Sequence, residues 1–229
     1  MQRILDILFS GIALLLLSPL LIPVALILRF TGEGEVFFKQ NRVGRGGAPF
    51  GLYKFGTMLK DSPNLGTGTV TVKGDPRVLP VGRVLRKTKI NELPQLLNIL
   101  LGDMSLIGPR PQTRRCFDAF PARSQEEIVK VRPGLSGIGS IVFRNEEDMM
   151  DAANDPDHVY DHVIMPYKGL LEEWYVAHQG VGAYLKLILL TAWVVATSRG
   201  TLVWRMFPGL PQPPREIAAE VDWVQPQHA

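Results

Sequence analysis

The 229-residue chain is almost without cysteine: Cys116 stands alone, so an internal disulfide is excluded and nothing demands an oxidising compartment. It lacks the Walker glycine loop and the dinucleotide glycine fingerprint, which leaves P-loop and Rossmann chemistry without support. No repeat of solenoid period is visible. Apolar residues are not scarce, at 46% with 8% aromatic, and disorder over most of the length is therefore excluded. This length accommodates one substantial domain or two small ones.

Neither sign of charge dominates the whole, with 25 basic against 22 acidic residues, but the distribution is uneven. From Arg29 to Lys89 twelve basic residues face four acidic ones, a surplus of +8; from Cys116 to Gly180 five face twelve, a deficit of −7. A basic stretch of this kind calls for anions: phosphate, lipid headgroups or nucleic acid.

The longest apolar run narrows that choice. Residues 4–30 hold 20 apolar residues of 27, interrupted by Asp6, Ser10, Gly11, Ser18, Pro19, Pro23 and Arg29. A straight helix over them reaches ~40 Å, enough for a hydrocarbon core of ~30 Å. A secretory signal fits less well, because one Arg3 is the whole basic leader and the run continues past Pro23. Pro19 and Pro23 remove two backbone donors on one face, so a bend is expected there, and the arm before it spans only ~21 Å. Both a kinked span and a re-entrant hairpin satisfy these facts. Arg29, Lys39, Arg42 and Arg45 place the C-terminal flank in the cytosol. Beside such a segment the anions are lipid phosphate and nucleotide, and nucleic acid is not expected as a partner.

Beyond it, residues 36–40 and 50–55 alternate as two short strands around the glycine turn 44–47, and 64–74 reads as a mobile Gly- and Thr-rich loop. Leu93, Leu96, Leu97 and Leu100 mark a helix with Asn91 as N-cap, Glu92 in its first turn and Gly102 as its stop. Arg86, Lys87 and Lys89 lie just upstream, so cations and free N–H groups would meet at one phosphate-sized place. A capped surface helix with solvated lysines accounts for the same residues. Prolines flank Arg110 and follow Arg132, which lowers the entropy lost when a guanidinium is offered to a phosphate. Asp157, His158, Asp161 and His162 have ligand-like spacing but lack the glutamate of a zincin helix, and read as a solvated acidic helix. Residues 181–197 read as a helix lying on the bilayer or against the first segment, and the proline-rich tail from Pro208 as loosely ordered.

Where Lys87-Thr88-Lys89-Ile90-Asn91-Glu92-Leu93-Pro94-Gln95-Leu96 meets Gly102-Asp103-Met104-Ser105-Leu106-Ile107-Gly108-Pro109-Arg110-Pro111, the chain resembles the bacterial monotopic phosphoglycosyl transferases. The likeness covers nearly all of residues 1–199 and includes Ser18-Pro19, Tyr53-Lys54-Phe55, Asp75-Pro76-Arg77, Gly82-Arg83-x-Leu85-Arg86, Val131-Arg132-Pro133-Gly134 and Arg144.

The resemblance implies a mixed, helix-rich α/β fold in which a small globular cytosolic domain (31–180) follows a re-entrant helix-break-helix (1–30) that turns at Ser18-Pro19. Membrane-associated, interfacial amphipathic helices (181–207) and the tail (208–229) complete the chain. It implies transfer of a phospho-sugar from a UDP-sugar donor to undecaprenyl phosphate at the cytosolic face of the bacterial inner membrane, initiating glycan assembly. The donor, the acceptor and the lipid bilayer are then the partners, and the sequence leaves room for an oligomer. In the family an Asp-Glu pair with Mg2+ carries the reaction: the Asp attacks the β-phosphate, UMP leaves, and the polyprenol phosphate then takes the phospho-sugar.

That pair falls on Asn91 and Glu92, the expected catalytic and metal-binding residues; Lys54, Arg77, Arg86, Arg110, Arg132 and Arg144 are the expected substrate contacts. Asn91 departs from the family, since an amide is a poor nucleophile and a weak magnesium ligand. An engineered exchange, a natural subgroup and a catalytically silent membrane scaffold that binds nucleotide sugar or a partner protein all accommodate it. Gly56, where the family often has a basic residue, departs less.

Overall fold

A computed structural model of the chain describes residues 1–31, 33–60, 62, 75–151, 155–197 and 199–223. The loop expected at 64–74 lies outside them.

Helix α1, Gln2–Phe30, runs as one helix through Pro19 and Pro23, so the Ser18-Pro19 pair does not interrupt it. The reason is local. Pro19 has no N–H for the Leu15 carbonyl, and the Ser18 hydroxyl donates to that carbonyl instead, at 2.7 Å. Among the described residues α1 is the one helix long and apolar enough to cross a membrane, and scarcely any of it is buried in protein.

The described residues form two compact units that interleave along the chain, one of residues 7–41 and 51–102, the other of 1–6, 42–50 and 103 onward. The expected strands are present as β1, Phe37–Val43, and β2, Pro49–Phe55, which pair as a hairpin around the glycine-rich turn. In the 7–41/51–102 unit follow α2, Pro80–Lys87, and α3, Gln95–Leu101. Its core is Leu28, Phe55 and Leu85, with Leu21, Val24, Val36, Val81 and Ile90 packed around them. Gly56 now has its reason: a Cβ there would stand 2.7 Å from the Glu35 carbonyl oxygen, so the close passage of the two segments excludes a larger residue.

The second unit is built on two three-residue parallel strands, β3 (Ser105–Ile107) and β4 (Gly134–Ser136), in register Ser105 to Gly134. Around them lie α4 (Arg114–Asp118), α5 (Ala122–Ile128), α6 (Ile138–Val142), α7 (Glu146–Asp151) and α8 (Pro156–Val159). Helix α9, Met165–Ala177, is largely buried, and α10, Val181–Thr197, and α11, Leu202–Met206, follow. Asp6, at the start of α1, is buried and accepts from the Ser105 hydroxyl (2.9 Å), the Leu106 amide (3.0 Å) and the Tyr184 hydroxyl (2.8 Å). Three donors make a buried carboxylate tolerable, and they fasten the first turn of α1 to β3 and α10. α10 buries Tyr184, Leu187 and Leu190 and leaves Leu185, Leu189, Trp193 and Val195 exposed.

As far as residue 223, the tail corrects its expectation. Leu210, Ile217 and Val221 are buried, and the Tyr167 hydroxyl donates to the Pro211 carbonyl at 2.8 Å. Apolar residues spaced among the prolines, rather than the prolines themselves, decide the outcome.

Candidate active site

In the 7–41/51–102 unit the site begins with a clamp. Asn98, fully buried on α3, accepts from the Tyr53 amide at 2.9 Å and donates to the Gly51 carbonyl at 2.8 Å. One side chain thus holds β2 on both sides of Leu52, with Lys54 two residues further along the strand. At the other end of α3 the chain reverses sharply: Lys89 takes a left-handed φ of 58°, and a 3-10 turn, Ile90–Glu92, precedes the helix. Asn91 is therefore inside that turn and not an N-cap; Pro94 takes the N-cap position with no side-chain bond. The left-handed Lys89 and the proline displace the helix start from where leucine spacing put it. α3 is also only seven residues long, so the phosphate site expected at its N-terminus has no proper helix behind it. Gly102 ends α3 at φ 100°, as expected.

The turn still brings polar side chains together. The Lys54 ammonium lies 4.0 Å from the Glu92 carboxylate, both side chains about four-fifths buried. Asn91 is buried, and its Oδ1 has no hydrogen-bond partner among the described residues. A buried acceptor without a donor costs roughly 1–3 kcal/mol, a cost that an added donor or cation there would offset. Two oxygen donors, Asn91 Oδ1 and Glu92, suit a hard cation that takes its other ligands from phosphate and water. Among the described residues no cluster of three acidic, histidine or cysteine side chains offers a metal site, so His158 and His162 join none; their rings stack at 4.4 Å.

The remaining expected contacts divide. Arg86 is half-buried in the last turn of α2. Arg77 is buried: its guanidinium meets Asp75 through Nε at 2.9 Å and Nη2 at 2.6 Å, while Nη1 donates to the Ser62 carbonyl at 2.7 Å. That arrangement braces the chain internally.

Arg110, Arg132 and Arg144 belong to the other unit. The Gly134 amide donates to the Pro109 carbonyl at 2.8 Å and the Gly108 amide to Ser136 at 2.9 Å, so the two proline-arginine turns are locked backbone to backbone. Arg110 and Arg132, both half-buried, leave from these turns. Arg144 donates to Asp222 of the tail at 2.6 Å. Sequence reading passed over Asn98 and Glu172. The Asn98 clamp has no sequence signal, and Glu172, four residues after Lys168, reads as an ordinary solvated helix pair.

The profile of the bacterial sugar transferase family matches residues 1–198. The UDP-N-acetylgalactosamine-undecaprenyl-phosphate N-acetylgalactosaminephosphotransferase of Aeromonas hydrophila is 40% identical over 164 residues, 71% of this chain and 38% of that protein. The UDP-glucose:undecaprenyl-phosphate glucose-1-phosphate transferase of Caulobacter vibrioides is 42% identical over 144 residues, 61% of this chain and 53% of that protein. An exopolysaccharide production protein of Rhizobium leguminosarum is 46% identical over 152 residues, 62% of this chain and 73% of that protein. The chain thus spans about half or less of the first two relatives.

Proposed function

The chain belongs to the bacterial sugar transferase family, and on that premise we propose that it transfers a sugar phosphate from a UDP-sugar to undecaprenyl phosphate at the cytosolic membrane face, initiating glycan assembly. The observation that carries this reading is the Ile90–Glu92 turn, where an unpartnered buried oxygen stands beside the Lys54–Glu92 pair. Lys54 and Arg86 hold pyrophosphate oxygens, and Glu92 with Asn91 Oδ1 holds Mg2+, which when bound neutralises phosphate charge. Arg77 supports the loop from within. Arg110 and Arg132 offer rigid guanidiniums to phosphate, and Arg144 exchanges Asp222 for it.

Asn91 sets the pace of the reaction. Its amide cannot attack the β-phosphate as a carboxylate does, so the chain binds donor and turns it over slowly. The same residue favours the second reading, a silent scaffold that binds nucleotide sugar without releasing UMP. Membranes carrying the chain, given UDP-sugars and undecaprenyl phosphate, release UMP on the first reading and none on the second.

Both ends of α1 lie on the cytosolic side in this proposal. Asp6 is fastened to Ser105 and Leu106, and Leu28 packs with Phe55 and Leu85. The described residues between 31 and 180 provide no further helix able to cross. The re-entrant path proposed here requires a bend at Pro19 and Pro23, where backbone donors are missing. With Cys116 replaced, a single cysteine at position 2 is then labelled from the cytosol; labelling only from the periplasm contradicts the re-entrant path and favours a span.

A further inference from the structure

One of the arginines expected to meet substrate phosphate is already engaged. Arg144 Nη2 donates to the Asp222 carboxylate at 2.6 Å. Arg144 lies within the residues that the family profile matches, and Asp222 beyond them. The contact therefore joins a residue inside the family match to one outside it.

The tail is held in place by other contacts as well. Leu210, Ile217 and Val221 are buried, and the Tyr167 hydroxyl donates to the Pro211 carbonyl at 2.8 Å. Its last turn then folds back: the Asp222 amide donates to the Ala219 carbonyl at 3.2 Å and the Trp223 amide to the Ala218 carbonyl at 3.0 Å. In this turn Asp222 takes a left-handed φ of 51°. Lys89, just before the Ile90–Glu92 turn, is the other non-glycine residue with a positive φ among the described residues. Such backbone costs energy that aspartate and asparagine bear better than most residues. Arg144 and Asp222 also share a wall: Arg144 Nε and Asp222 Oδ2 each lie 3.5 Å from where a Cβ on Gly200 would stand.

The chemistry of the contact is that of a stand-in. Carboxylate and phosphate both present oxygen acceptors that a guanidinium grips through charge-assisted hydrogen bonds. The pair is within reach of solvent, with the Arg144 side chain 19% and the Asp222 side chain 35% exposed. It can open to water without stranding a buried charge, unlike Arg77 with Asp75, whose side chains are 5% and 2% exposed. A carboxylate held beside the guanidinium competes with an incoming phosphate and lowers the fraction of Arg144 ready to bind it.

We propose that Asp222 is an intramolecular competitor: held on Arg144 by the tail, its carboxylate occupies the guanidinium until substrate phosphate displaces it, and so sets how tightly that phosphate binds. The claim rests on the proposed reading of Arg144 as a phosphate contact; the phosphate is that of the donor's diphosphate or that of the acceptor.

Asp222→Asn removes the charge while keeping the size and a residue suited to left-handed backbone. Calorimetry on the full chain with UDP, and separately with undecaprenyl phosphate in detergent micelles, tells the two sources apart. A ligand that uses Arg144 binds Asp222→Asn about fivefold more tightly than the unaltered chain, and one that does not binds as before. In Arg144→Ala the first kind of ligand binds more weakly, and adding Asp222→Asn no longer changes its affinity. Glu216→Gln removes an exposed carboxylate from the same tail and leaves both affinities as they are. Unchanged affinity for both ligands, weaker binding in Asp222→Asn, a gain that persists without Arg144, or an equal gain in Glu216→Gln each overturn the proposal. UMP release judges the transferase reading separately. A chain that releases UMP while Asp222→Asn changes neither affinity keeps that reading and loses the competitor; a chain that releases none, yet tightens through Arg144 in Asp222→Asn, does the reverse.

Discussion

Two buried polar places within one unit, only a few residues apart from the same helix, are built on opposite terms. Before α2, Arg77 closes on Asp75 and the Ser62 carbonyl, with contacts of 2.6 to 2.9 Å. After α2, Asn91 keeps an oxygen without a partner and Lys54 stops 4.0 Å from Glu92. A polar group that has spent its donors braces the frame, whereas the unpartnered Asn91 oxygen is where the proposal places a ligand. The family motifs by themselves ranked Arg77 and Lys54 alike; the geometry separates them.

The sharpest way to press that contrast is Asn91→Asp, which restores a charged nucleophile and should raise UMP release by roughly two orders of magnitude or more. Arg77→Ala belongs to the closed place and should act on the fold: it removes the guanidinium from the buried Asp75 carboxylate and should cost about 3 kcal/mol of stability, read as a lower Tm. Glu172 comes next. Its folded pKa of about 7 lies above the ordinary 4.5, so its contribution to stability is full below about 4.5 and is lost as pH rises through about 7. Glu172→Gln should therefore be the more stable protein above pH 7 by on the order of 3 kcal/mol, a gap that closes toward pH 4.5; Lys168, whose charge pulls the other way, and Tyr175 are unchanged in the comparison. The smallest effect is expected at the open place: Lys54→Ala should lose about 2 kcal/mol in kcat/KM for the donor with little change in Tm.

Much of the frame was legible because it rests on short-range pattern. The alternation around the glycines at 44–47 gave the β1–β2 hairpin, and the apolar run after Val181 gave α10. Gly102 stopped α3 where a left-handed residue was needed. The start of α3 was misplaced because leucine spacing says nothing of a left-handed Lys89 or of a proline taking the N-cap. β3 and β4 are three residues each, too short to alternate, and their pairing is long-range. The tail misled through composition: its prolines outnumber the buried Leu210, Ile217 and Val221 that hold it down. At the site, residue types were legible and their states were not. Whether Asp75 closes on Arg77, or whether a glutamate on α9 meets water or is buried, is decided by tertiary packing alone.

The central claim is that the incomplete turn at residues 90–92 is where sugar phosphate is taken from the donor. Intact-protein mass spectrometry of Asn91→Asp, incubated with UDP-sugar and Mg2+ and without undecaprenyl phosphate, tests it most directly. The account predicts an added mass of one phospho-sugar, mapped to residue 91 and discharged when the acceptor is supplied. An unaltered chain that turns over briskly, with an Asp variant that is no faster and carries no adduct, would contradict it and move the chemistry to Glu92 or to direct attack by the acceptor.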